Sequence, residues 1–145
     1  MEARVREGFE RQAFMRTIGA SMVRVESGEV ELRLPVTPAL TQHTGVVHAG
    51  AIAALADTAC GAAAATMARA DAEIVSVEFK LNLLAPAAGE CLRTVARVVR
   101  AGRTITVCTA ETWALAGERE QLVAVMQATM MSVTGTASRP KVSRD

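Results

Sequence analysis

Residues 49–68 form an unbroken run of small and apolar side chains in which Asp57 is the one charged residue. The run is about as long as a bilayer span, yet alanine and glycine dominate it, and a carboxylate near its middle is costly in lipid. A buried helix over residues 48–69 is the better reading. A helix that is apolar nearly all round must be enclosed rather than laid on a surface. Its small side chains allow another layer to approach closely.

The flanking sequence supplies that layer. Val5, Phe9 and Ala13 recur at a spacing of four, which predicts a short amphipathic helix to about Arg16, ended by Gly19. Alternating stretches at residues 22–25 and 30–36 predict two strands joined at Ser27-Gly28. Pro35 and Pro38 then open a loop that runs through Gln42 and His43 to Gly45. After the long helix the period falls to two: Val75, Val77, Phe79, Leu81 and Leu83 on one side, and Ser76, Glu78, Lys80 and Asn82 on the other. This predicts a half-buried strand ended by Pro86. Three more strands, meandering on from this one, are expected over residues 90–100, 103–115 and 120–133, with turns at Ala101-Gly102 and Ala116-Gly117. Residues 134–145, rich in Ser, Arg, Lys and Pro, read as a frayed tail. The fold class is therefore α+β, a curved antiparallel sheet wrapped around a central helix in a single domain of 145 residues. Its edge strands need covering, and oligomerisation is a common remedy.

Sixteen basic and fifteen acidic residues leave a net charge of +1, too small a field to draw the chain to nucleic acid or an anionic membrane. Cys60, Cys91 and Cys108 are odd in number, widely spaced and set in apolar sequence, as expected of reduced thiols in a reducing compartment. Residues 1–16 mix acidic and basic side chains and lack a secretory apolar stretch. A cytoplasmic location is expected.

Two constellations carry chemistry. An unpaired buried carboxylate costs several kcal/mol, so Asp57 needs either a structural partner or a catalytic task, and the bare pattern leaves both open. The second is the stretch Gln42-His43-Thr44-Gly45-Val46-Val47-His48-Ala49-Gly50, a loop entering a helix N-terminus. Free backbone N–H groups and the positive end of the helix dipole converge there and can hold an oxyanion. Ordinary helix capping explains the same residues.

His48-Ala49-Gly50 followed by Leu55-Ala56-Asp57-Thr58-Ala59 resembles the HGG-then-LAD signature of the PaaI-type hotdog thioesterases, and residues 76–86 resemble the next strand of that family. The resemblance implies a hotdog fold and hydrolysis of an acyl-CoA, with no cofactor beyond the CoA of the substrate. It makes Asp57 the general base or nucleophile. The Ala49 N–H becomes the donor that polarises the thioester carbonyl, Gln42 an orienting residue and Ser76 a hydroxyl that positions water. It also implies a homo-oligomer, a dimer or a homotetramer, with the active site at the subunit interface. Ala49 departs from the family glycine, and the backbone N–H keeps its role only if the local φ is negative.

His48 and Gly50 are expected to help bind the substrate, with His48 holding the loop by hydrogen bonds; no nucleophile elbow accompanies it. His43 reads as a surface histidine and Cys60 as a packing residue. No third ligand stands at familiar spacing from the two histidines, so a metal site is not expected. Arg100 and Arg103, flanking a turn, are candidates for the CoA phosphates, although a solvated hairpin tip explains either one singly. Met126, Met130 and Met131 are expected in the core or an interface. The acyl group remains open between aromatic and medium-chain types. A non-catalytic acyl-CoA-binding module is the competing function, and a dehydratase or hydratase ranks third.

Overall fold

The computed structural model describes residues 1–135. The expected tail lies almost wholly outside them, since the last strand reaches Thr134. The alanine-rich run forms helix α3, Ala49–Met67, as the high helix propensity of alanine demands. His48 caps its start, its Nδ1 accepting the Gly50 N–H at 2.8 Å. The C-terminal end has neither a glycine cap nor a basic residue in its last turn. Arg4 serves instead, donating to the carbonyls of Ala65, Ala68 and Arg69 at 2.7, 3.2 and 3.2 Å.

The expected N-terminal helix is two helices, α1 (Glu2–Glu10) and α2 (Ala13–Ile18), broken at Arg11-Gln12. The break re-aims the chain so that Met15 enters the core while Phe14 stays outside. Gly19, at φ 80°, ends α2 as expected.

Six strands form one antiparallel sheet: β1 (Ser21–Glu26), β2 (Glu29–Pro35), β3 (Ala72–Leu83), β4 (Cys91–Ala101), β5 (Ile105–Ala116) and β6 (Arg119–Thr134), in spatial order β1-β2-β4-β5-β6-β3. The chain leaves β2 through a 3₁₀ turn at Pro38–Leu40 and crosses the sheet as α3, so β3 lands at the opposite edge. The helix lies against β2 to β6. Leu55, Ala56, Ala59, Cys60 and Ala63 meet Leu32, Leu34, Leu92, Cys108 and Met130 in one core. Truncating Leu55 there costs about 2–5 kcal/mol. Met126 and Met130 are core residues, and Met131 is partly buried. Two buried hydroxyls, Thr94 and Thr112, satisfy one another across β4 and β5 at 2.8 Å.

β3 departs from its expected alternation. The register against β6 shifts between Ser76 and Glu78, leaving Val77 as a bulge. Ser76 pairs with Met130, while Phe79, Leu81 and Leu83 pair with Ala128, Met126 and Ala124, all buried residues. Ser76 therefore shares the inner face with Phe79 and Leu81 instead of opposing them. Nor is β3 half-buried as an edge strand of one chain: Val77, Phe79 and Leu83 are 54%, 44% and 53% exposed.

Candidate active site

The bulge at Val77 decides the geometry around Asp57. With Ser76 turned inward, its Oγ donates to Asp57 Oδ1 at 2.7 Å. The other carboxylate oxygen accepts no hydrogen bond among the described residues. Asp57 is only half-buried in the single chain, which corrects the expectation of a carboxylate sealed in apolar surroundings. It opens on a cleft of about 730 Å³ between α1 and the start of β3. The helix side of that cleft is the small face of α3, Thr58, Gly61, Ala62 and Ala65; α1 contributes Arg4, Gly8 and Phe9, and Arg11 follows at its end. Small side chains on α3 thus leave room for a ligand beside the carboxylate.

The second constellation sits at the start of α3. The loop before it is tied down by the backbone: Gln42 N–H donates to Val46 O at 2.9 Å, Val47 N–H to Ala87 O at 2.9 Å and His48 N–H to Leu40 O at 2.8 Å. Gly45 takes φ 82° in this turn. Because His48 Nδ1 accepts the hydrogen bond from the Gly50 N–H, its ring hydrogen belongs on Nε2. A Cβ at Gly50 would lie 3.0 Å from His48 Nδ1, so a side chain there would require the ring to give by a few tenths of an ångström. The Gly50 N–H is spent on that cap and is not free for a substrate. The Ala49 N–H has no partner among the described residues. Ala49 is the first residue of the helix, so its φ is negative, and the backbone geometry is open to alanine as well as to glycine. Gln42 and His43 are exposed.

Ala49 and Asp57 lie eight residues apart on one helix, about 12 Å along its axis. One chain cannot bring both groups to the same carbonyl. Arg103 lines a different cleft from Asp57, and Arg100 lines neither. Arg4 and Arg11 are the cations at the Asp57 cleft. Nothing in the sequence flagged Arg4, whose partners are 61 to 65 residues away.

Cys60 is fully buried, and burial pushes its thiol far above the ordinary range; burial pushes Cys108 up to about 11. Cys108 Sγ contacts Cys60 O at 3.6 Å. Both are packing residues, unfit as nucleophiles at neutral pH. Among the described residues no group of three or more His, Cys, Asp or Glu could hold a metal ion.

This wrapped-helix architecture is that of the hotdog thioester hydrolases of PaaI type. Residues 44–120, more than half of the chain, match the Thioesterase superfamily, and the chain belongs to that family. A solved thioesterase family protein from Silicibacter pomeroyi is 42% identical, with a TM-score of 0.91 over 92% of this chain and 98% of that one. A putative thioesterase, a phenylacetic acid degradation-related protein from Ralstonia eutropha, is 27% identical, with a TM-score of 0.74 over 83% of this chain and 89% of that one. Among curated relatives, 1,4-dihydroxy-2-naphthoyl-CoA hydrolase of Listeria monocytogenes is 27% identical over 79% of this chain and 90% of its own length. A putative esterase of Halobacterium salinarum is 36% identical over 62% of this chain, and the match spans 62% of that relative, less than two thirds of its length.

Proposed function

We propose that the protein hydrolyses an acyl-CoA thioester, aromatic or medium-chain, to the free acid and CoA, at a site shared by two subunits. The observation that carries this reading is the Asp57 carboxylate, held by Ser76 at one oxygen and open to a cleft at the other, about 12 Å from the unclaimed Ala49 N–H of its own chain. The Ala49 N–H of a second copy completes the pair. The thioester carbonyl oxygen accepts from that N–H while Asp57 removes a proton from the attacking water, or attacks the carbonyl carbon itself. The C–S bond then breaks, and the CoA thiolate leaves and takes up a proton; on the direct-attack route water then hydrolyses the acyl-Asp57 anhydride, releasing the free acid and restoring the carboxylate. Ser76 fixes the carboxylate, His48 and Gly50 shape the helix entrance, and Gln42 orients the thioester. The naphthoyl-CoA hydrolase relative supports a CoA thioester as substrate.

The open edge of β3, with exposed Val77, Phe79 and Leu83 beside Leu84, supports pairing with another copy into a dimer or tetramer. The reaction calls for no cofactor and no nucleic-acid or membrane partner. Three free thiols fit a cytoplasmic setting.

The test uses two single variants and their mixture. Asp57→Asn lowers kcat about 10²–10⁴-fold. Ala49→Pro deletes only the proposed donor: proline is tolerated at the first helical position, and His48 at φ −62°, ψ 135° already has the backbone that a following proline requires. It lowers kcat about 10²–10³-fold. Co-expressed, the two variants regain activity, because some sites combine an intact Asp57 with an intact Ala49. Undiminished CoA release by Asp57→Asn, followed with a thiol reagent and corrected for the half-exposed Cys91, removes Asp57 from the mechanism. Tight acyl-CoA binding without any thiol release by the native protein turns the reading to a binding module.

A further inference from the structure

The open edge of β3 carries two charges at its middle. Glu78 and Lys80 pair with Thr129 and Gln127 of β6, and beyond these stand Val107 and Thr109 of β5, so no charge flanks them in the two nearest strands. Both are exposed. Thr129 Oγ1 donates to one oxygen of Glu78; the other oxygen and the whole Lys80 ammonium have no partner among the described residues. A lysine at an open edge ordinarily blocks pairing with another strand. With an acid two residues before it, the same edge becomes self-complementary, but only about one point. When two antiparallel copies are related by a two-fold axis, the residue on the axis opposes itself, and its neighbours on either side oppose one another. An axis at Phe79 thus sets each Glu78 against Lys80 of the other copy.

The candidate site limits where that axis can fall. β3 returns along α3, since Ser76 is bonded to Asp57 and the Val47 N–H donates to Ala87 O at 2.9 Å. Ala49, about 12 Å before Asp57 on the helix, therefore lies beside a part of β3 about four residues or more beyond Ser76. Bringing Ala49 of a second copy to Asp57 sets Ser76 against that part of the other strand. Directly opposed residues share a face of the sheet. Ser76 shares the inner face with Phe79, Leu81 and Leu83, so one of these three opposes it. With Val77 an extra residue in its own strand, the axis then falls at Glu78, Phe79 or Lys80. At Glu78 it sets carboxylate against carboxylate, and at Lys80 ammonium against ammonium; like charges directly opposed are destabilising. Phe79 is the position left. It gives two opposite-charge pairs on the outer face and brings together two Phe79 rings, each 44% exposed in the single chain, on the inner one.

We propose, resting on the shared-site reading above, that Glu78 and Lys80 are the register key of the subunit interface: two copies join along β3 with the axis at Phe79, and two crossed Glu78–Lys80 pairs exclude the registers on either side. Cross-linking tests this without any turnover. In a Cys91→Ser background, with Cys60 and Cys108 buried, Phe79→Cys treated with diamide gives a disulfide-linked dimer, because opposed Cα atoms lie about 4.5 or 5.5 Å apart and a disulfide spans about 4.4–6.8 Å. Glu78→Cys and Lys80→Cys do not cross-link alone and do so when co-expressed. Glu78→Lys and Lys80→Glu each oppose like charges at both crossings and raise the dimer Kd at least about tenfold in sedimentation. The double reversal Glu78→Lys with Lys80→Glu restores it, and the two single variants mixed together form a heterodimer. A cross-link at Glu78→Cys or Lys80→Cys alone, or no cross-link at any of the three in a protein that sediments as a dimer, overturns the register and leaves the shared site standing. A Phe79→Cys cross-link in a protein whose Asp57→Asn variant hydrolyses as fast as the native chain keeps the register and removes the site reading. A native chain that sediments as a monomer overturns both.

Discussion

The two edges of the sheet are built to opposite ends. β1 is six residues long, bulged at Val23, and laced by Arg24, which pairs with Glu26 at 2.9 Å and with Glu29. A short, kinked and charged edge resists pairing with another strand. β3 is twelve residues long and carries exposed Val77, Phe79 and Leu83. Both edges contain a bulge, but the two bulges do different work. The one in β1 spoils the ladder, whereas the one in β3 turns Ser76 toward Asp57 while leaving regular pairing on both sides of it, from Ala72 to Ser76 and from Glu78 to Leu83. One edge is closed and the other kept open, and the open one borders the candidate site.

The largest effect expected from disturbing this asymmetry comes from charging the open edge. Phe79→Asp with Leu83→Asp halves the sedimenting mass, keeps the far-ultraviolet circular dichroism of the native chain, and lowers kcat/KM about 10²–10³-fold, because the oxyanion donor of the second copy is withdrawn. A fully active monomer would break both the shared-site reading and the contrast between the edges. Next comes the inner half of the bulge. Ser76→Ala removes the hydrogen bond to the carboxylate and lowers kcat about tenfold, and Ser76→Thr recovers it; an unchanged kcat in Ser76→Ala means that the bulge serves packing alone. The smallest effect belongs to the closed edge. Arg24→Ala costs less than about 1 kcal/mol in denaturant unfolding, as exposed ion pairs do, with activity and mass unchanged. A loss of activity there would show that β1 also touches the site.

Much of this fold is legible along the chain because it is locally encoded. The α3 run, its lone carboxylate, the succession of strands along the chain and the turns at Ser27-Gly28 and Ala116-Gly117 all appear where short-range pattern puts them, with Gly28 and Gly117 at φ 78° and 58°, but the meander holds only from β4 to β6, because β3 pairs with β6 at the far edge instead of with β4. The helix begins at Ala49 and ends at Met67, one or two residues inside the expected bounds. The site was legible only in part. Asp57 stands out by composition, and the His48 cap by its place before the helix. The side on which Ser76 falls was misread, because strict alternation from Val75 onward puts it opposite Phe79, and one bulged residue reverses that relation. The break at Arg11-Gln12 was also invisible, since the spacing of Val5, Phe9 and Ala13 continues across it.

The amino-acid order by itself determined that a small-faced apolar helix must be wrapped and that one acid must sit within it, since helix propensity and burial follow from neighbouring residues. The tertiary structure alone decided how that acid is held and what faces it. The register of β3 against β6 turns Ser76 inward, and Arg4 crosses more than sixty residues to close α3. These are outcomes of long-range pairing, in which one residue more or less in a strand moves a side chain to the other face. The rise of a single helix, finally, keeps Ala49 and Asp57 of one chain about 12 Å apart.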